Sequence, residues 1–556
     1  MQARPDESPE SLQWWQKTIV YQIYPRSFQD SSGNGVGDIP GIISRLDHFT
    51  YLGVGAIWLS PFYPSPQLDF GYDISDFCDV DPLFGTLQDF DNLVKECHDR
   101  DIKVIVDFVP GHSSHLHPWF QKSVRREEPY TDYYVWHDGK TGDNGERLPP
   151  NNWLSVFGGS SWAWNEERGQ FYFRPFLPEQ PKLNYRNPRV VEEMKNVLRF
   201  WMSRGVDGVR VDAVSEIMES ADKSQDEPCN MKGDYPQDQY EYLNHIHTSM
   251  HPEGFPLIRG WRDVMDEYEK KDGKSRFMVI EIYAPAKSRN VYREFGGNPF
   301  NMDLVDLERS GLSGQSLKSL IEEEYSNIGG GWPTFVLGNH DRNRLTFRFG
   351  REFADVLNML LLTLKGTPTT YYGEELAMSN IEVSFEDTQD PFGKNMGPER
   401  YELFSRDPCR SPMQWDNTRH AGFTKSDHPW LPVHPDYANC NVKTQTKSDG
   451  SSTSLTLYKA LATLRQKPAF LCGGIEFAIC NKEVFSYIRE DKTSGERYLV
   501  ALNVGKVPAL SDFSGSPVNA TVEICTCSAS KRLTTGQTVS LQGLTLNPGD
   551  GVVLKL

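Results

Sequence analysis

The chain has 556 residues, of which 38% are hydrophobic and 24% charged, and it carries a net charge of −18. No apolar run reaches the roughly 20 residues that span a bilayer, and the acidic balance disfavours nucleic acid or an anionic membrane surface as partner, since both need a basic face. The nine cysteines stand at 78, 97, 229, 409, 440, 472, 480, 525 and 527 with no CxxC pair, which argues against structural zinc; an odd count leaves at least one free thiol if the others form disulfides.

Residues 12–109 open an alternation of short apolar runs with amphipathic stretches. IVYQIY (19–24), AIWLS (56–60) and KVIVDFV (103–109) are continuous rather than alternating, as parallel strands buried on both faces should be. DFDNLVKECHDRD (89–101) has helical periodicity. Residues 110–185 are too long for one βα loop and rich in Trp, Gly, Pro and Asn, so they are read as an inserted subdomain after strand three. The alternation resumes over 186–475, with the helical pattern of 189–205 and the runs GVRVDAV (208–214), FMVIEIY (277–283), TFVLGNH (334–340) and PTTYYG (368–373). One strand is weak and is expected around Met302–Val305. Residues 375–440 form a second irregular insertion. From 476 to 556 apolar and polar residues alternate between Gly and Pro turns, which predicts a small antiparallel β-domain. The predicted fold class is α/β: a (β/α)8 barrel with a subdomain inserted after strand three and a C-terminal antiparallel β-domain.

In such barrels the reactive groups stand at the C-terminal ends of the strands. Those ends read Asp107-Phe-Val-Pro-Gly-His112, Arg210-Val-Asp212, Glu281-Ile-Tyr283 and Asn339-His340-Asp341. Arg210 and Asp212, two apart on a strand, share a face, so the arginine can hold the carboxylate ionised. A buried carboxylate beside a second, protonated one is the equipment of a glycosidase. Any single acid here could be structural; several on one rim are harder to read that way. A second pattern, Asp30-Ser-Ser32-Gly-Asn34-Gly-Val36-Gly-Asp38, sets oxygen groups at alternate positions like the first part of a calcium loop; its alternative is an uncharged turn.

The blocks VYQIYPRSFQDSSGNGVGDIPGI (20–42), DFGYDISDF (69–77), GVRVDAV, VLGNHD and FSRDPCRSPMQWD (404–416) resemble those of the α-amylase clan, glycoside hydrolase family 13. Within it they are similar to α-glucosidases of the insect maltase and sucrose hydrolase kind, and to bacterial oligo-1,6-glucosidases. The resemblance runs nearly end to end. It implies a retaining, exo-acting α-glucosidase acting on a small sugar such as sucrose or maltose. Asp212 would be the nucleophile, Glu281 the general acid and then base, and Asp341 a carboxylate that binds sugar hydroxyls and helps distort the ring. Arg210 would orient Asp212, His112 and His340 would bind hydroxyls of the glucose, and Tyr72 would stack beneath it. Asp69 and Arg410 would pair at the closed end of the pocket, and Phe176 and Gln180 would line the border toward the leaving group. Calcium, held by Asp30, Ser32, Asn34, Val36 and Asp38, would be structural.

Against the usual pattern, Gly111 replaces Asn, Lys182 replaces Asp, and FYFRPF around Arg174 replaces a His-Gln version. Ser32 and Asn34 leave the loop with less charge than in relatives. Two other readings stay open: a transglucosylase such as a sucrose isomerase, whose charged RLDRD-type loop is not found, and a non-catalytic binding relative such as an amino-acid transporter heavy chain. Asn519-Ala-Thr is a glycosylation sequon, and a secreted or extracellular location is expected, free in a gut lumen or anchored through the native precursor. The resemblance does not define the oligomeric state.

Overall fold

The computed structural model describes residues 8–446, 451–513 and 517–556. Eight short parallel strands form its centre: β1 (Val20–Ile23), β2 (Ala56–Leu59), β3 (Lys103–Phe108), β4 (Gly208–Val211), β5 (Phe277–Ile280), β6 (Asn298–Pro299), β7 (Thr334–Val336) and β8 (Thr367–Tyr371). They are ordered β6-β5-β4-β3-β2-β1-β8-β7, and a parallel bridge between Asn301 and Phe335 joins the two ends into a barrel. Every residue of β1, β2, β4 and β5 is buried, which is why each reads as an unbroken apolar run.

The weak strand is β6. It lies at Asn298–Pro299, ahead of the expected Met302–Val305. Asn and Pro carry no β-branched signature, so the ladder is set by tertiary contacts: Asn301 N–H donates to the Thr334 carbonyl at 2.8 Å. Met302 and Val305 are buried core residues beside it.

The helical patterns become Leu87–His98 and Pro188–Ser203. Thr86 and Asp89 close a capping box on the first. Asn187 caps the second, with Pro188 in its first turn. Their buried faces, including Leu93 and Trp201, pack against the barrel. Between β3 and β4 the antiparallel strands Trp136–His137, Gln170–Phe173 and Trp162–Asn165 form a small sheet over its own aromatic core of Trp153, Trp162, Phe171 and Phe173. After β8 the chain winds through short helical turns, among them Pro391–Met396 and Tyr401–Phe404.

The C-terminal part is a six-stranded antiparallel sheet, ordered Gly474–Cys480, Val484–Glu490, Arg497–Asn503, Gly551–Lys555, Asn519–Cys525 and Thr538–Ser540. Phe485, Tyr487, Val500 and Val553 belong to the same core as barrel residues such as Tyr21 and Leu362. Leu499, Val522, Val552 and Leu554 build a second core. Arg489 bridges the parts, donating to the Thr363 carbonyl at 2.6 Å and to those of Phe470 and Gly473 at 3.0 Å. All nine cysteines are free thiols, so the pairing that an odd count left open does not occur among the described residues. Cys97 and Cys409, for example, are buried and serve as small apolar core residues.

Candidate active site

Strand register sets the site. β4 and β5 pair Val211 with Ile280, so the next residue on each, Asp212 and Glu281, leave the barrel side by side, on strands about 4.8 Å apart. β3 and β4 pair Asp107 with Arg210. Backbone bonds fix the two acids: Asp212 N–H donates to the Phe108 carbonyl and Glu281 N–H to the Val211 carbonyl, each at 2.9 Å. Ala213, the next residue, sits in the left-handed region at φ 44°, a strained conformation of the kind found at functional sites. It points its N–H at Glu281 Oε2, 3.2 Å away.

Arg210 gathers the acids. Its Nη1 donates to Asp107 Oδ1 at 2.7 Å and to Asp212 Oδ1 at 2.6 Å, and its Nη2 lies 2.6 Å from Glu281 Oε2. The arginine and Asp107 are fully buried. One cation facing three carboxyls cannot hold all of them ionised in a dry interior. Burial pushes Asp107 up to about 6, against the pull of Arg210. Burial also raises Asp212 well above the usual carboxylate range, with Arg210 opposing and the neighbouring acids adding. Such groups titrate as a unit. Asp341 behaves oppositely. Burial alone would raise it, but the guanidiniums of Arg406 and Arg410 hold it well below the usual range.

A hydrogen-bonded chain supports Asp107 from behind. Gln22 Nε2 donates to His340 Nδ1 at 2.9 Å, which leaves the imidazole proton on Nε2, 2.7 Å from Tyr72 Oη. Tyr72 in turn donates to Asp107 Oδ2 at 3.0 Å, and its ring stacks on His340. Burial pushes His112 and His340 down to about 3, so both are neutral imidazoles near neutrality. His112 Nε2 bonds the Tyr72 carbonyl at 2.9 Å, while its Nδ1 is buried with no hydrogen-bond partner among the described residues.

The closed end differs from expectation. Asp69 pairs with Arg406 at 2.8 Å, not with Arg410. Arg410 instead bonds Asp341 Oδ1 at 3.0 Å and the His340 carbonyl at 2.7 Å. The cause is Asp390, the N-cap of helix Pro391–Met396. It binds Arg406 Nη2 at 2.6 Å and also accepts from Arg406 N–H at 2.7 Å, which aims that side chain at Asp69. Gln180 donates to Asp69 Oδ2 at 3.0 Å.

These groups enclose a cavity of about 600 Å³. Asp69, Tyr72, His112, His340 and Arg406 line its closed end, Asp212, Glu281 and Asp341 its middle, and Phe176, Glu216, Tyr240 and Phe392 its mouth. Gln180, Arg210 and Arg410 are buried behind this wall. No role was assigned from the sequence to Asp107, Arg406 or Asp390. Asp107 had a signal in its place at a strand end and Arg406 in its place inside the block 404–416, whereas Asp390 had none.

Two of the sequence departures form one feature. Lys182 is fully buried and donates to the Ile217 carbonyl at 2.8 Å. A Cβ on Gly111 would stand 3.9 Å from its Nζ, in ordinary contact, so the two departures lie side by side. Arg174 donates to the Phe176 carbonyl and props the cavity rim.

The loop from Asp30 to Asp38 holds two carboxylates, 5% and 4% exposed. Among the described residues neither has an ion-pair partner. Asp30 accepts from Gly33 N–H at 2.7 Å, Gly35 N–H at 2.8 Å and the Thr424 hydroxyl. Asp38 accepts from Ser31 N–H at 3.0 Å and Gly41 N–H at 2.6 Å. The Asn34 side chain accepts from Val36 N–H at 2.8 Å. Ser32 donates to Asp30 at 3.1 Å. Two buried anions with no ion-pair partner suit a hard cation, which would take over oxygens now turned on the loop's own donors: both Asp30 oxygens and Asp38 Oδ2 each accept two hydrogen bonds, and only Asp38 Oδ1 accepts one.

A sequence model of the alpha-amylase catalytic domain matches residues 22–474. The alpha-glucosidase of Apis mellifera is 44% identical over 92% of this chain and 88% of its own length. Maltase 1 of Drosophila virilis is 41% identical over 100% and 88%. The human amino acid transporter heavy chain SLC3A1 is 40% identical over 99% and 79%. Among solved structures, the alpha-glucosyl transfer enzyme XgtA superposes with a TM-score of 0.86 at 35% identity, covering 98% of this chain and 100% of that one. The isomaltulose synthase from Klebsiella sp. LX3 gives 0.84 at 30% identity over the same shares.

Proposed function

Since the chain belongs to the alpha-amylase family, and is a glycoside hydrolase of its α-glucosidase branch, we propose that it works by retention from a closed pocket that admits one terminal glucose. The observation that carries this is Arg210 holding Asp212 and Glu281 on its two Nη atoms at 2.6 Å. That side-by-side placement suits the spacing of about 5–5.5 Å between carboxyls in retaining glycosidases.

In this reading the Asp212 carboxylate attacks the anomeric carbon while the bond to the leaving oxygen breaks and Glu281 protonates that oxygen. Asp212 is then esterified to glucose. Glu281, now a carboxylate, takes a proton from water, whose oxygen displaces Asp212. Asp341, held ionised by its arginines, accepts from sugar hydroxyls, and neutral His112 lines the wall beside the glucose. The Asp69–Arg406–Asp390 group closes the far end and makes cleavage exo-acting. The substrates proposed are sucrose and maltose, which present the same glucose and differ only in the leaving half. A transglucosylase would share the first step and exclude water from the second. A binding-only protein would not need three acids on one arginine.

The loop residues Asp30, Ser32, Asn34, Val36 and Asp38 would hold a calcium ion, which supplies positive charge to the two buried carboxylates and takes no part in the reaction. Secretion is the location proposed. It is supported by the salivary alpha-glucosidase of Aedes aegypti among the relatives and by an exposed Asn519 in its sequon. No helix among the described residues is long and apolar enough to cross a membrane.

The test is glucose release from sucrose, maltose and isomaltose by the wild type and by Glu281→Gln. The variant is expected to lose about 10²–10⁴-fold in kcat, the range for general acid catalysis, and the glucose freed from the ester should first appear in the α configuration by NMR. A β product, or full activity without Glu281, would overturn the mechanism.

A further inference from the structure

The mouth of the cavity holds a carboxyl that this chemistry does not use. Glu216 ends the short 3₁₀ turn Val214–Glu216 that begins two residues after Asp212. Its N–H returns to the Ala213 carbonyl at 3.1 Å, and its half-buried side chain lies with that of Ser215 in the cavity wall. Among the described residues it has no ion-pair partner. Lys182 donates to the carbonyl of Ile217, the residue after Glu216, at 2.8 Å, and so fixes the turn from behind.

The groups that face Glu216 are Ser215, Glu281 and Lys182, with the hydroxyls of Tyr240 and Tyr292 close enough to feel its charge. Glu241 and His245 line the same mouth. None of these belongs to the Asp69–Arg406 end that encloses the glucose. Burial pushes Glu216 up to about 7, with Ser215 and Lys182 opposing and Glu281 adding. Near neutrality its carboxyl can therefore both donate and accept a hydrogen bond.

We propose that Glu216 recognises the leaving half of the substrate, its carboxyl bonding hydroxyls of a sugar aglycone and selecting disaccharides over glucosides whose leaving group offers no hydroxyl. This rests on the α-glucosidase reading above. A site built to pair a hydroxyl rejects the partner that lacks it far more strongly than an apolar site can discriminate. Glu216 thus sets specificity, and Lys182 is a positioning residue that acts through the Ile217 carbonyl.

The experiment compares kcat and KM of the wild type, Glu216→Gln and Glu216→Leu on maltose and on p-nitrophenyl α-glucoside. Glu216→Leu is expected to lose about 10–100-fold in kcat/KM on maltose, from the unpaired hydroxyl, and to stay within about threefold on the aryl glucoside. Glu216→Gln, which keeps a donor and an acceptor, should retain most of the maltose activity. Should the leucine variant fail to fold, Glu216→Ala removes the carboxyl without filling the mouth and is read the same way. Equal losses on both substrates, or an unchanged maltose rate, would overturn the assignment. A wild type that cleaves neither substrate would overturn the α-glucosidase reading itself, a result no variant can mimic.

Discussion

Asp107 shows how one residue can set the pH response without touching the sugar. It shares Arg210 with Asp212, and each negative charge on one disfavours the charge on the other. With burial pushing Asp107 up to about 6 and raising Asp212 as well, the acid limb of kcat/KM should belong to the pair and lie above the usual carboxylate range. Asp107→Asn removes one charge from the group. It should move that limb down by about half to one pH unit, the scale of one neighbouring charge, and a limb that stays in place would detach Asp107 from the unit. The stability sign follows from the same shift. A carboxyl raised on folding favours the folded state below its unfolded value and loses that contribution as pH rises through about 6, so burying Asp107 weakens the fold at neutral pH. The positions of Asp212 and Glu281 were legible because strand ends and register follow from local apolar runs. The choice between Arg406 and Arg410 was not: both sit in one short motif, and the anion that decides, Asp390, comes from an insertion without periodicity.

Elements differ in how much of them their own sequence encodes. The strands buried on both faces and the capped helices were readable from period and caps. β6 was not, because two residues of Asn and Pro carry no strand signal and the ladder there is imposed by β5 and β7. The loop Asp30–Asp38 is locally encoded, since its carboxylates close on its own N–H groups. A cation bound to the folded loop but not to the unfolded chain stabilises by mass action. Chelation with EDTA is therefore expected to lower the melting temperature by a few degrees, and added calcium, but not magnesium, to restore it. A melting temperature indifferent to both would mean that the loop's hydrogen bonds alone hold it. Activity well below the melting point should be unaffected, because an ion bound there would serve the loop and not the acids.

On the scale of the molecule, barrel and C-terminal sheet do not have separate interiors. Tyr487, Val500 and Val553 lie in the same core as Tyr21 and Leu362, and Arg489 is spent on the Thr363 carbonyl of the barrel part and the Gly474 carbonyl of the sheet. Heating should give a single calorimetric transition for the whole chain, and two resolved transitions would show that the C-terminal sheet folds on its own. The sequence announced that sheet by its alternation, yet could not tell that one face would be lent to the barrel, since alternation records which residues are buried and not what buries them. At the other end, Asp69, Gln180, Asp390 and Arg406 are each at most 9% exposed and turn the pocket into a cul-de-sac. Traffic through one doorway runs last in, first out. The leaving half must depart before water can reach the glucosyl ester, and glucose follows only after that. In concentrated sugar a second sugar would compete with water for the vacated doorway, and the crowding of its own substrate would then set how much glucose is freed and how much is passed on.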